Sequence, residues 1–183
     1  MAENSDMERI DADRVSWGGR IAAGITDGIL SAILMMGFMM AYSSVTGAGV
    51  TMPLKALGAL VYGVEALVAG SMAMLAGAGL QLGFSTVLGV LFALFTSRRT
   101  SIVAALFAGI AVGIVVWVAM ELVVLQYMNP TMAARIALMP MAYFIAHLLF
   151  GIGLGLTPVF VRTFSRKRHD DRPMERPAEA LPI

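Results

Sequence analysis

The chain has 183 residues, of which 58% are hydrophobic and only 14% charged. A water-soluble domain carries about 25% charged residues, so this composition excludes an ordinary soluble fold. The formal net charge of +1 and the absence of cysteine indicate no nucleic-acid face, and exclude disulfides, thiolate metal sites and a cysteine nucleophile.

The chain opens on an acidic and polar stretch, residues 1–17, read as a cytoplasmic tail. An apolar run then extends over about 21–43. At a rise of about 1.5 Å per residue it exceeds the roughly 30 Å hydrocarbon core of a bilayer. It is too long for a signal-peptide core and no small-residue cleavage site follows it, so it reads as a retained membrane helix. Three more runs of spanning length cover about 71–95, 101–126 and 138–161. The expected fold class is therefore all-α, an integral membrane four-helix bundle spanning 18–162.

Between the first two spans, residues 53–68 are apolar but contain Lys55 and Glu65. Counting them as a fifth crossing would put the Arg98, Arg99 turn and the basic carboxy-terminal tail on opposite sides of the membrane. An additional outer amphipathic or re-entrant helix fits better, with Pro53 suited to its first turn. Residues 163–183 are basic and proline-rich and form the second expected tail. Both tails have the composition of disordered segments.

Eleven of the 13 basic residues (Arg9, Arg14, Arg20, Arg98, Arg99, Arg162, Arg166, Lys167, Arg168, Arg172 and Arg176) fall on one side of this four-span topology. Lys55 and Arg135 fall on the other. The positive-inside rule then predicts a multi-pass protein of the bacterial inner membrane with both termini cytoplasmic.

Each span carries one pair of glycines at GxxxG spacing: Gly24 with Gly28, Gly79 with Gly83, Gly109 with Gly113, and Gly151 with Gly155. Removing side-chain bulk at this spacing lets two helix backbones approach, so all four pairs are expected at helix seams, within the chain or against a partner.

Ionisable and amide side chains inside a span are costly and mark buried or functional positions. Asp27 lies roughly 10 Å beyond Arg20 along the first helix, two turns away, which allows the two to pair. Gln81, Glu121 and His147 sit in the second, third and fourth spans. If those spans pack together, the three converge on one polar spot in the outer half, an arrangement suited to proton-coupled movement of a solute. A haem held by two histidines is unsupported, because the other histidine, His169, lies in the tail, and no cofactor follows from the sequence.

Twelve of the 15 methionines lie outside the tails, all in the outer half or outer connections. Met35 with Met39 and Met36 with Met40 share helix faces. Thioethers favour Cu(I) among metal ions, so these four are the candidate metal ligands. Packing in an apolar core is the plainer reading.

The order of the elements carries a resemblance. A glycine-rich first helix is followed by PLKALGALVYGVEALVAG, a second span ending VLFALF, a third reading GIVVWVAMELVVLQYMNP and a fourth reading MPMAYFIAHLLFGIGLGL. Residues 18–160 resemble the small uncharacterised four-span bacterial inner-membrane proteins, with the YagU-like proteins a more distant comparison. Its most specific piece is AHLLFGIGLGL, with His147 and the Gly151, Gly153, Gly155 series. The resemblance implies the architecture and no activity.

Two functions are carried forward. The first is a noncatalytic accessory or assembly subunit of a larger membrane complex, with the lipid bilayer and either a membrane-protein partner or another copy of itself as its contacts. The second is a small oligomeric transporter or channel for an ion, a metal such as Cu(I), or a small solute. An enzyme ranks last. Paired acids, clustered metal ligands or a nucleophile beside a base are missing at useful spacing, and Ser85 with His147 is the one pair that can be joined on paper.

Overall fold

A computed structural model describes residues 17–68, 70–97 and 99–170. The expectations for residues 1–16 and 171–183, with Arg9, Arg14, Arg98, Arg172 and Arg176, fall outside the described residues, as do the side chains of Arg166, Lys167, Arg168 and His169.

The described residues form an all-α bundle. Helix α1 spans Trp17–Val45. A turn with left-handed backbone at Gly47 and Gly49 leads into α2, Met52–Tyr62, and a short 3-10 helix, Gly63–Leu67. Helix α3 runs over Ser71–Phe95 and α4 over Ile102–Ala119. The Ser101 hydroxyl caps α4 by accepting from the Ala104 amide at 3.1 Å, which satisfies one of the orphan donors of its first turn. A π turn at Met120–Val124 continues into α5, Leu125–Met128. Then come α6, Pro130–Leu138, α7, Pro140–Leu154, and α8, Thr157–Asp170. Four stretches are long and apolar enough to cross a membrane: Trp17–Val45, Ser71–Phe95, Ile102–Met128 and Pro140–Phe164.

Two expected spans are not single regular helices. The third widens by one residue at the π turn, where the Leu125 amide donates to the Met120 carbonyl. The fourth breaks at Gly155 and Leu156. Pro158 has no N–H to give the Leu154 carbonyl and cannot continue the α-helical ladder; the Thr157 hydroxyl lies 2.7 Å from that carbonyl. Beyond the break α8 runs on to Asp170, into the stretch expected as a polar tail.

The crossing helices pack in the order α3, α1, α7, α4, a curved row whose two ends, α3 and α4, face each other across a crevice. Helix α1 packs on α3 along one side and on α7 and α8 along the other, while α4 packs on the far side of α7. Each seam is made by small residues. A methyl group added at Gly24 or Gly28 would collide with the backbone of α3 at Ser85 to Val90, and one at Gly89 would collide with Gly24 and Gly28. On the other seam Gly109 and Gly113 meet the backbone of α7 between His147 and Gly155. Helix α2 lies across the end of the row remote from Arg20. Its Leu54 and Gly58 backbone sits against Ala73 and Gly77 of α3, and the Asn129 side chain donates to the Ala56 carbonyl at 3.0 Å.

The outward faces are apolar. Val87, Phe95, Val103, Phe107, Val115 and Leu122 are all exposed, as expected of side chains that meet lipid rather than water. The largest inward cluster sits at the α2 end, where Met39, Leu125, Ile136, Ala142, Tyr143 and Ala146 pack together.

Candidate functional site

Along α1 every fourth residue from Ala23 to Ser43 turns inward (Ala23, Asp27, Ser31, Met35, Met39 and Ser43), and of these Ala23 and Asp27 meet α8 while Ser31 and Met39 meet α7. Asp27 and Ser31 are both 0% exposed. Opposite Asp27, the break in the fourth span presents Thr157, the first residue of α8, also 0% exposed. The Thr157 hydroxyl donates to Asp27 Oδ2 and also lies within reach of the Leu154 carbonyl. One hydroxyl hydrogen therefore serves two acceptors. Among the described residues Asp27 Oδ1 and Ser31 Oγ have no hydrogen-bond partner, and Ser31 packs against the bare backbone of Gly153.

This geometry gathers oxygen atoms around a carboxyl group buried in the membrane span, at the start of a 14-residue helix. The first turn of a helix favours negative charge. Arg20, the expected partner of Asp27, turns away instead. Its guanidinium donates to the Leu94 carbonyl on α3 at 2.7 Å, closing the end of the α1–α3 seam.

The other three polar candidates are not joined by hydrogen bonds among the described residues. Gln81 lies in the α1–α3 seam, donating to Met35 Sδ at 3.5 Å and to Ser85 Oγ at 3.3 Å. His147 lies on α7, where its Nδ1 meets the Tyr143 carbonyl of its own helix at 2.8 Å. A carbonyl oxygen only accepts, so Nδ1 carries the hydrogen. Glu121 sits on the π turn, half-buried. The row arrangement explains the separation: Gln81 belongs to the seam on one side of α1, and His147 to a helix on the other. It also parts Ser85 from His147, since Ser85 packs against Gly28 and His147 against Gly113.

The four glycine pairs divide. Gly24 with Gly28, Gly109 with Gly113, and Gly151 with Gly155 sit against neighbouring backbone, but among the described residues a methyl group added at Gly79 or Gly83 would meet no neighbouring element within 4 Å. Both are exposed on the outer face of α3. The seam face of α3 is instead Ala73, Gly77, Gln81, Ser85, Gly89 and Ala93, again every fourth residue.

Met35, Met36 and Met39 belong to the apolar cluster around Tyr143, with Met132 and Met139. Met35 Sδ accepts the Gln81 amide, and Met40 is half-buried. The first three thioethers thus lie within packed core. No group of three or more histidine, aspartate or glutamate side chains able to hold a metal occurs among the described residues.

A second polar locus lies at the opposite end of the row, built around Arg135, which the sequence marked only by its side of the membrane, and residues it did not single out. The Arg135 guanidinium donates to Ser43 Oγ at 3.3 Å, and Ser43 donates to the Gly49 carbonyl at 2.9 Å. Arg135 Nε and the Tyr143 hydroxyl are both buried, and the Arg135 guanidinium lies beside that hydroxyl. Asn129 ties this end together, since its Oδ1 caps α6 by accepting from the Met132 amide at 3.0 Å. Thr157 and Ser31 were missed likewise. The Thr-Pro pair inside an apolar run and the fourfold stripe on α1 were the signals that point to them.

No family model, curated protein or solved structure matches this chain.

Proposed function

We propose that the protein is a noncatalytic subunit of a larger membrane complex, docking through the outer face of α3 against a transmembrane helix of its partner. The observation that carries this reading is the bare backbone at Gly79 and Gly83. The other three pairs at this spacing lie in seams, whereas this one faces outward between the exposed side chains of Leu75 and Leu82. Helix association in lipid depends on close backbone approach and the dispersion contacts that follow, and a groove of this shape accepts a partner helix where lipid chains pack less well. The placement of Arg20, Arg99 and Arg162 at one end of the row supports a bacterial inner-membrane orientation with that end cytoplasmic.

The test is affinity purification from host membranes of wild type, Gly79→Leu and Gly83→Leu. The reading expects a stoichiometric partner that both variants lose while remaining folded. A partner retained by both variants, or a monodisperse protein without one, contradicts it.

A second reading has its own observation. A buried carboxyl at a discontinuous membrane helix is the arrangement through which transporters bind protons or small cations. A proton on Asp27 would donate to Thr157 Oγ1 and free that hydroxyl to donate to the Leu154 carbonyl. In this reading the protein is a small oligomeric transporter. Ion flux in proteoliposomes that Asp27→Asn abolishes supports it, and the absence of flux from wild type counts against it.

A further inference from the structure

We propose that the crevice between α3 and α4, at the arginine-bearing end of the row, binds one anionic phospholipid, with an acyl chain in the crevice and the phosphate at its arginine rim. Helices α3 and α4 are consecutive spans joined by a short turn, yet they pack on different neighbours, α1 and α7. A gap therefore remains between them. Along it α4 contributes the small residues Ala104, Ala105 and Ala108, while α3 contributes Leu88, Leu91 and Phe92, and the half-open space between them is about 400 Å³. The lining is almost entirely apolar, and its two hydroxyl residues, Thr96 and Thr100, come from the connecting turn.

Charge is fixed at that same turn. Arg20 donates to the Leu94 carbonyl at 2.7 Å, and Arg162 donates to the Thr100 carbonyl at 2.9 Å. One guanidinium is thus anchored beside the α3 wall and another beside the α4 wall, with α8, which carries Arg162, packed against both helices. Arg99 is exposed on the turn itself. An apolar slot that ends at a turn bearing guanidinium groups matches an amphiphile with a long hydrocarbon chain and an anionic head. Arginine offers a planar fork of donors suited to phosphate oxygens, and basic pockets between membrane helices recognise anionic headgroups in this way. A partner helix would fill the slot without using the arginines, and a zwitterionic lipid would gain little from them.

The experiment is native mass spectrometry of the full chain in mild detergent, titrated with palmitoyl-oleoyl phosphatidylglycerol or with the corresponding phosphatidylcholine. The expected result is one retained phosphatidylglycerol per chain, preferred over phosphatidylcholine. Arg99→Gln and Arg162→Gln, both at exposed positions, should each lower that preference by about fivefold. Ala108→Phe should reduce retention of both lipids by filling the slot. Equal retention of the two lipids by wild type overturns the proposal, as does an unchanged preference in the two glutamine variants. Should Ala108→Phe fail to fold, the glutamine variants decide alone.

Discussion

The Thr157 hydroxyl donates to the Asp27 carboxyl across the seam between α1 and α8, joining residues 130 positions apart in the chain. It is a polar link in an otherwise apolar interface of Ala23, Phe160, Val161 and Phe164. The link follows from the break that Pro158 imposes, because that break supplies both the orphan Leu154 carbonyl and the hydroxyl beside it.

Removing the donor should be more damaging than removing the charge. Thr157→Val leaves both carboxyl oxygens of Asp27 unpartnered in a buried site, and is expected to cost about 1–3 kcal/mol. In Asp27→Asn the amide can donate to Thr157 Oγ1 and no charge stays buried, so this variant should melt at or above the wild-type temperature. Thermal unfolding of the two variants in detergent gives the order, and the reverse order would refute this description of the site.

The two glycine faces of α3 should respond oppositely. Gly89→Leu drives a side chain into the backbone of Gly24 and Gly28, and overpacking of that kind costs about 1–3 kcal/mol or more. Gly79→Leu meets open space, so the isolated protein should keep its melting temperature. Equal destabilisation by the two would contradict the assignment of the seam.

Asn129 holds two elements at once, capping α6 and gripping α2 through the Ala56 carbonyl. Asn129→Ala should cost about 1–2 kcal/mol. Hydrogen exchange should rise first in residues 52–62, the span of α2. Faster exchange confined to α4 would count against this linkage.

The methionines of α1 should behave as core residues. Met39, 2% exposed and packed against Tyr143 and Leu125, should tolerate leucine at a cost below about 1.5 kcal/mol and lose about 2–5 kcal/mol as alanine. Denaturation of Met39→Leu and Met39→Ala distinguishes packing from a role that requires sulfur, since the latter would make leucine as harmful as alanine.

Span number and class were legible because each apolar run is longer than a bilayer is thick, and length alone decides that. The seams were only partly legible. GxxxG spacing marks Gly24 with Gly28 but also Gly79 with Gly83, because the working face of α3 is Ala73, Gly77, Gln81, Ser85, Gly89 and Ala93, small at every fourth position except Gln81 and not confined to glycine. Asp27 stood out as an ionisable residue in a span, yet its partner did not. Thr157 is distant in sequence and gains meaning only once Pro158 breaks the helix and α8 docks on α1. The expected meeting of Gln81, Glu121 and His147 rested on the second, third and fourth spans closing together, and α1 stands between α3 and α7 instead.

Docking of a partner helix on the outer face of α3 is tested most directly by photo-cross-linking in host membranes, with a benzophenone amino acid at Leu75 or Leu82 and, for comparison, at Val103 or Phe107 on α4, four positions that are all exposed. One discrete protein adduct is expected from the α3 positions, abolished by Gly79→Leu, and none from the α4 positions. Adducts from both faces alike, or from neither, would contradict it.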